Sequence, residues 1–258
     1  MSRFLTTLRA GYDRHSLVAL ALLFAVYTAV GVNWFHLLDL SRGMDWLLVG
    51  IWALMTALLC REVQPVRDLP LVLVAFGGGL VIEGWGTQTE LWSYFTAERP
   101  PIWILPAWPV AALTIERLAR MLDPLLPRRH EGLLWLLLLP PFVLAMTRFL
   151  WPSIHLWMSP VVVLLMVGVL LSPGDRRRDL LLFLAGSLLG ILLEYWGTSR
   201  RCWTYYTGEI PPVEAVFAHG FASVAFERGA RLFGWLRQKL WGLGHGSVKG
   251  VEETGVGG

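Results

Sequence analysis

The chain has 258 residues, 55% of them hydrophobic and only 16% charged, with 14 tryptophans and a mean hydropathy of +0.54. Soluble domains carry roughly 25% charged residues, so this composition excludes a soluble enzyme and leaves no stretch for a soluble domain. The net charge of +3 fits basic loops held on the cytoplasmic side of a membrane and argues against a nucleic-acid partner.

Apolar windows and the breakers between them predict eight spanning helices, over 16–38, 44–60, 69–85, 101–122, 132–150, 154–171, 179–196 and 212–233. The first run is too long for a signal-peptide core and no small-residue cleavage site follows it, so it is expected to stay as a transmembrane helix. If the N-terminus is cytoplasmic, that side collects 17 of the 22 Lys and Arg residues, and only Arg42, Arg99, Arg148, Arg200 and Arg201 fall on the other. The expectation is therefore a multi-pass protein of the cell membrane with both termini cytoplasmic. Residues 236–258, Gly-rich toward the end, read as a disordered cytoplasmic tail. Cys60 and Cys202 define neither a disulfide framework nor a zinc motif.

Sliding the chain against itself by 111 residues lays 67–122 on 178–233 with 22 of 56 positions identical. Glu83, Trp85, Gly86, Thr87, Trp92, Tyr94, Pro100 and Pro101 fall on Glu194, Trp196, Gly197, Thr198, Trp203, Tyr205, Pro211 and Pro212. At an offset of 119 the first helix also aligns, Thr28 with Thr147 and His36 with His155. The fold class expected is an all-α integral membrane protein. Two four-helix repeats, 1–125 and 126–235, share one orientation about a pseudo-two-fold axis along the membrane normal, with a site between them.

Much of the repeated motif has a structural explanation. Trp92, Tyr94, Trp203 and Tyr205 suit an aromatic belt, Gly86 and Gly197 suit helix C-caps, and Pro101 and Pro212 suit first turns. Glu116 with Arg120, and Glu227 with Arg231, read as helix-end pairs four residues apart. Glu83 and Glu194 resist this treatment, because each lies inside a predicted span where an ionised carboxylate is costly. Counting back in fours gives Gly79 and Ala75 from Glu83, and Gly190 and Gly186 from Glu194, two small-residue seams. If the seams meet at the pseudo-axis, the two carboxylates face each other and share a proton.

His36, His155 and His219 are expected in the same outer layer as the carboxylates. Imidazole and carboxylate suit zinc or iron, but no HxxxH or HExxH spacing fixes ligands on one helix, so the metal and any other cofactor stay open. His219 aligns with Trp108 and Glu214 with Trp103, so a cavity between the repeats is expected to be asymmetric.

No P-loop, G-x-S-x-G, dinucleotide fingerprint or CxxC is present. The helix-end pattern of a Glu, then Gly, then Tyr before a Pro-led helix resembles the integral membrane carotenoid hydratases of bacteria and archaea. That likeness covers one short stretch of each repeat, differs in spacing by a residue or two and lacks the family's Pro-Phe-Gly element. The leading expectation is a membrane-embedded acid/base enzyme acting on a lipid or isoprenoid, carotenoid-like substrate from the outer leaflet side. Glu83 and Glu194 would form its catalytic pair, with His36, His155 and His219 orienting or relaying protons. Trp92, Tyr94, Trp203, Tyr205, Thr87 and Thr198 would line an apolar mouth. A proton-coupled transporter built on the same glutamates is the alternative, and a membrane assembly or scaffold subunit is the third reading.

Overall fold

The computed structural model describes residues 12–41 and 43–246. They are mostly helical, and the α-helices are α1 (Arg14–Trp34), α2 (Asp45–Leu59), α3 (Pro65–Gln88), α4 (Ala107–Leu122), α5 (Glu131–Leu150), α6 (Met158–Leu170), α7 (Arg176–Ser199) and α8 (Val213–Gly246). Local chemistry sets several ends. The Asp13 carboxylate accepts from the backbone N–H groups of His15 and Ser16, and the Asp13 N–H donates back to Ser16 Oγ, closing a capping box on α1. Asp175 caps α7 through the N–H groups of Arg177 and Arg178. Pro65 opens α3, where its missing N–H costs nothing.

Five helical segments are long and apolar enough to cross a membrane, at Arg14–Leu37, Pro65–Gln88, Ile102–Leu125, Arg128–Ser153 and Arg176–Ser199. α2 and α6 are shorter apolar helices, and α8, which carries Glu214, His219, Glu227, Arg228 and Arg231, belongs to neither group. The chain is thus an all-α, multi-pass membrane protein by helix length and composition. Several expected boundaries move. α3 and α7 each run three residues beyond Trp85 and Trp196, and within them Thr87 and Thr198 donate their hydroxyls to the Glu83 and Glu194 carbonyls. α8 continues to Gly246, so residues 236–246 are helix and not tail, and residues 247–258 lie outside the described part.

α3, α4, α7 and α8 pack on one another as the central bundle. α2 leans on α4 and α7, while α6 leans on α8 and α3. α7 is the most buried of the spans and α1 the least. In one core cluster Phe183 of α7 meets Phe217 and Phe221 of α8, with Phe142 of α5 stacked on Phe221 at 4.1 Å.

The glycine seams are real, but they do not face each other. A Cβ at Gly186 would lie 2.8 Å from the Gly220 Cα, and one at Gly190 2.8 Å from the Val216 carbonyl, so the α7 seam serves close approach of α8. A Cβ at Gly79 would meet the Trp108 indole of α4 at 2.4 Å. Each seam therefore closes on the helix that follows it in sequence. A shared face fixes the periodicity of small residues without saying which neighbour fills it.

The ends of α3, α4, α7 and α8 remote from Glu83 and Glu194 carry buried ion pairs. Arg117 donates to Asp68 at 2.6 Å and to the Arg61 carbonyl at 2.8 Å, and Arg228, 111 residues on, pairs with Asp179 at 2.5 Å. Glu116, buried, accepts from Arg120 at 2.5 Å and Arg178 at 2.6 Å. The pair four residues apart exists as expected. It is one strand of a network that joins α4 to α7, however, and not a surface cap.

Candidate functional site

At the opposite end, two short strands, β1 (Trp92–Tyr94) and β2 (Trp203–Tyr205), pair antiparallel with Ser93 opposite Thr204. Each strand follows one glutamate-bearing helix and folds back over it. The period of two in a strand sends its first and third side chains to the same face, so Trp92 and Tyr94 both reach Glu83, and Trp203 and Tyr205 both reach Glu194.

Glu83, nearly fully buried, accepts three hydrogen bonds: Trp92 Nε1 at 3.1 Å and Tyr94 Oη at 2.9 Å on Oε2, and Trp108 Nε1 at 3.1 Å on Oε1. Glu194, equally buried, accepts Trp203 Nε1 at 2.9 Å on Oε2, while Oε1 is shared by Tyr205 Oη at 3.0 Å and His219 Nε2 at 2.8 Å. Trp108 and His219 stack on each other with ring centroids 5.8 Å apart and planes 19° from parallel. The aromatic pairs are reciprocal: Trp92 packs on Tyr205 at 5.9 Å and Tyr94 on Trp203 at 6.1 Å. No hydrogen bond joins the two carboxylates among the described residues. Each carboxylate sits in its own donor cage, and the two cages adjoin through the Trp108–His219, Trp92–Tyr205 and Tyr94–Trp203 ring contacts.

Burial first, and then the Glu83 carboxylate, pushes the Tyr94 hydroxyl well above its ordinary value; burial and Glu194 do the same to Tyr205. Both phenols therefore remain protonated donors across the physiological range. Thr87 and Thr198, expected as lining residues, spend their hydroxyls on helix carbonyls. Gly86 and Gly197 are not C-caps. Both lie inside their helices without positive φ, and a Cβ there would fall 1.8 Å and 2.0 Å from the indoles of Trp92 and Trp203. They leave the space in which each indole reaches its glutamate.

Of the three histidines, only His219 is brought to a carboxylate. His36 sits in a 3-10 turn after α1 and His155 in the connection before α6; both are exposed and neither is bonded to Glu83 or Glu194. Lying at one depth is a weaker condition than contact. Among the described residues no group of three or more His, Cys, Asp or Glu side chains is placed to hold a metal ion. The sequence reading noticed Trp108 only as the counterpart of His219 and missed it as a donor. It passed over Asp45 as well, which is buried, accepts from Trp196 Nε1 at 3.0 Å and pairs with Arg200 at 3.0 Å. Trp85, the counterpart of Trp196, donates instead to Ser159 at 2.9 Å.

A cavity of about 240 Å³ opens over the strands, lined by Thr87, Glu90, Trp92, Ser93, Arg99, Thr204, Tyr205 and Tyr206. It shares Trp92 with the Glu83 cage and Tyr205 with the Glu194 cage. Comparisons with protein-family models, curated proteins and solved structures find no match for this chain.

Proposed function

We propose that the chain is a membrane-embedded acid/base enzyme acting on a lipid or isoprenoid substrate, with Glu194 and His219 as its proton-exchanging pair. In this reading all eight helices lie in the membrane as two repeats of like orientation, the strands face the outer side, and both termini are cytoplasmic. The observation that carries it is the 2.8 Å contact between His219 Nε2 and a buried Glu194 oxygen, where the equivalent carboxylate, Glu83, is held only by indole and phenol groups. Imidazole gains and loses a proton near neutral pH, whereas an indole N–H does not exchange on a catalytic timescale. Glu83 keeps a static role, holding β1 and Trp108 in place.

The second reading, a proton-coupled carrier, draws on the buried Arg117–Asp68 and Arg228–Asp179 pairs, which close the bundle below the carboxylates and would have to part for a polar route to open. Lipid and pigment extracts of cells with and without the gene separate the two, since only an enzyme adds or removes a discrete species. Glu194→Gln and His219→Gln should lower formation of that species by roughly 10²–10⁴-fold, the usual range for loss of an acid/base group, and Glu83→Gln by less. Full activity in Glu194→Gln would end the proposal.

A further inference from the structure

We infer that the cavity over the strands binds a neutral, polyhydroxylated headgroup, a single sugar ring carried on a membrane lipid. Its role as the headgroup of the substrate rests on the acid/base reading; the binding itself rests on the size and chemistry of the lining.

Size sets the first limit. Sites for drug-sized ligands measure about 300–1,000 Å³, so this cavity, at about 240 Å³, takes one ring-sized group and leaves any chain outside it. A lipid meets that condition by setting its headgroup on the strands and its chains against the exposed apolar side chains of the helices that lead there, Leu80 and Val81 of α3 and Leu188 and Ile191 of α7.

Charge sets the second limit. Glu90 and Arg99 are the only charged residues in the lining, and Arg99 Nη1 donates to Glu90 Oε1 at 3.0 Å. An anionic headgroup has to displace the Glu90 carboxylate and a cationic one the guanidinium, whereas a neutral ligand displaces neither. The pair keeps its second carboxylate oxygen and its remaining guanidinium N–H groups, an acceptor beside several donors. The Ser93 and Thr204 hydroxyls, opposite each other in the strand register, have no hydrogen-bond partner among the described residues, and each can donate and accept. Neighbouring hydroxyls on a ligand match this set. A phosphodiester, which only accepts, and a trimethylammonium, which does neither, do not.

The aromatic residues complete the match. Trp92, Tyr205 and Tyr206 spend their polar hydrogens elsewhere, on Glu83, Glu194 and the Phe149 carbonyl. What they offer the cavity is ring surface, whose electron-rich face suits the C–H groups of a sugar. The repeat does not dictate this set, because the counterparts of Glu90, Arg99 and Tyr206 are Arg201, Ile210 and Phe95.

The test reads lipid retention by native mass spectrometry, with the whole chain purified in tetraethylene glycol monooctyl ether, which carries no sugar. Monoglucosyl diacylglycerol, phosphatidylglycerol, phosphatidylcholine and diacylglycerol are added in equal amounts. The glucosyl lipid should be retained at least tenfold over each of the others. Ser93→Phe, which adds a ring to the cavity from an exposed strand position, should abolish that preference. Glu90→Gln, which leaves Arg99 without its counter-charge, should move it to phosphatidylglycerol. Equal retention of all the lipids, or a preference of the parent for phosphatidylglycerol, would overturn the neutral-sugar assignment. Unchanged retention in Ser93→Phe would put the lipid elsewhere and overturn the site. Methyl glucoside at the same concentration should leave the lipid bound; if it displaces the glucosyl lipid, the ligand is a free sugar and the lipid-borne part fails. Glu194→Gln should retain the glucosyl lipid as the parent does. If that retention holds while the extracts show no discrete species, the acid/base reading falls and the cavity stands as a lipid site. If the species found carries no sugar or other polyol, the acid/base reading stands and the link between cavity and substrate falls.

Discussion

Gly86→Ala and Gly197→Ala are the smallest changes that break the site from within, and their cost can be worked from the geometry. The added methyl at Gly86 would sit 1.8 Å from Trp92 Cη2 and 2.0 Å from Cζ2; at Gly197 it would sit 2.0 Å and 2.1 Å from the same atoms of Trp203. An indole cannot yield by a few tenths of an ångström against overlap of that size, so it must leave. That removes the N–H bond to a buried carboxylate, worth about 1.5–3 kcal/mol, and much of the packing of a large aromatic, worth about 3 kcal/mol or more. Ala gains about 1 kcal/mol over Gly in helix propensity. The net loss is about 4 kcal/mol, and at roughly 2–4 °C per kcal/mol for a chain of this size it lowers the apparent Tm by on the order of 10 °C. The assay is the monodisperse fraction left after heating in dodecyl maltoside, read by size exclusion. Gly84→Ala is the control, because a Cβ there meets nothing within 4 Å and should leave the Tm unchanged or slightly higher. If Gly86→Ala and Gly197→Ala melt with the parent, the indoles are not seated against the helices and the donor cages do not exist.

Two further outcomes are expected. Arg117→Ala takes a buried guanidinium from the half-buried Asp68 and should cost about 1.5–3 kcal/mol, whereas Arg231→Ala, whose partly exposed partner is Glu227 at 3.4 Å, should cost about 1 kcal/mol or less; comparable melting shifts would show that the inner network holds nothing. Burial, only partly opposed by Arg200, pushes the Cys202 thiol up to about 11, so thiolate is scarce at neutral pH and maleimide labelling of Cys202 should rise about tenfold per pH unit from 7 to 9. Impermeant reagent on intact cells should mark Cys202 and spare the buried Cys60, and labelling of Cys60 alone would invert the proposed topology.

What the sequence disclosed follows from the repeat. Because Glu83 and Glu194 recur with a Trp nine residues on and a Tyr eleven residues on, one local device had to serve twice, and both copies fold alike. The misreadings share a cause: periodicity and depth restrict a residue to a face or a layer, but the partner on that face belongs to tertiary packing. Gly86 looked like a helix end because polar residues follow it, yet the helix runs on to Gln88 and Gly86 is needed for the indole packed on it. The Ala75–Gly79 and Gly186–Gly190 faces were assigned correctly as close-packed and wrongly as mutual. Arg117 and Asp68 are 49 residues apart, and nothing local announces that they meet.

The same repeat supplies a control that a single-copy site would lack. In the first repeat an indole at position 108 satisfies the outward oxygen of Glu83, so a neutral, non-exchanging donor is sufficient to hold a carboxylate in this fold. The second repeat places an imidazole at the equivalent position 219, at the same stacking interface and on the equivalent glutamate. If holding Glu194 were the whole requirement, tryptophan would meet it there as it does across the interface. An imidazole differs from an indole in its exchangeable proton and its second ring nitrogen, and those are the properties an acid/base site uses. The departure from symmetry, more than the symmetry itself, is what the proposed acid/base role of Glu194 and His219 rests on.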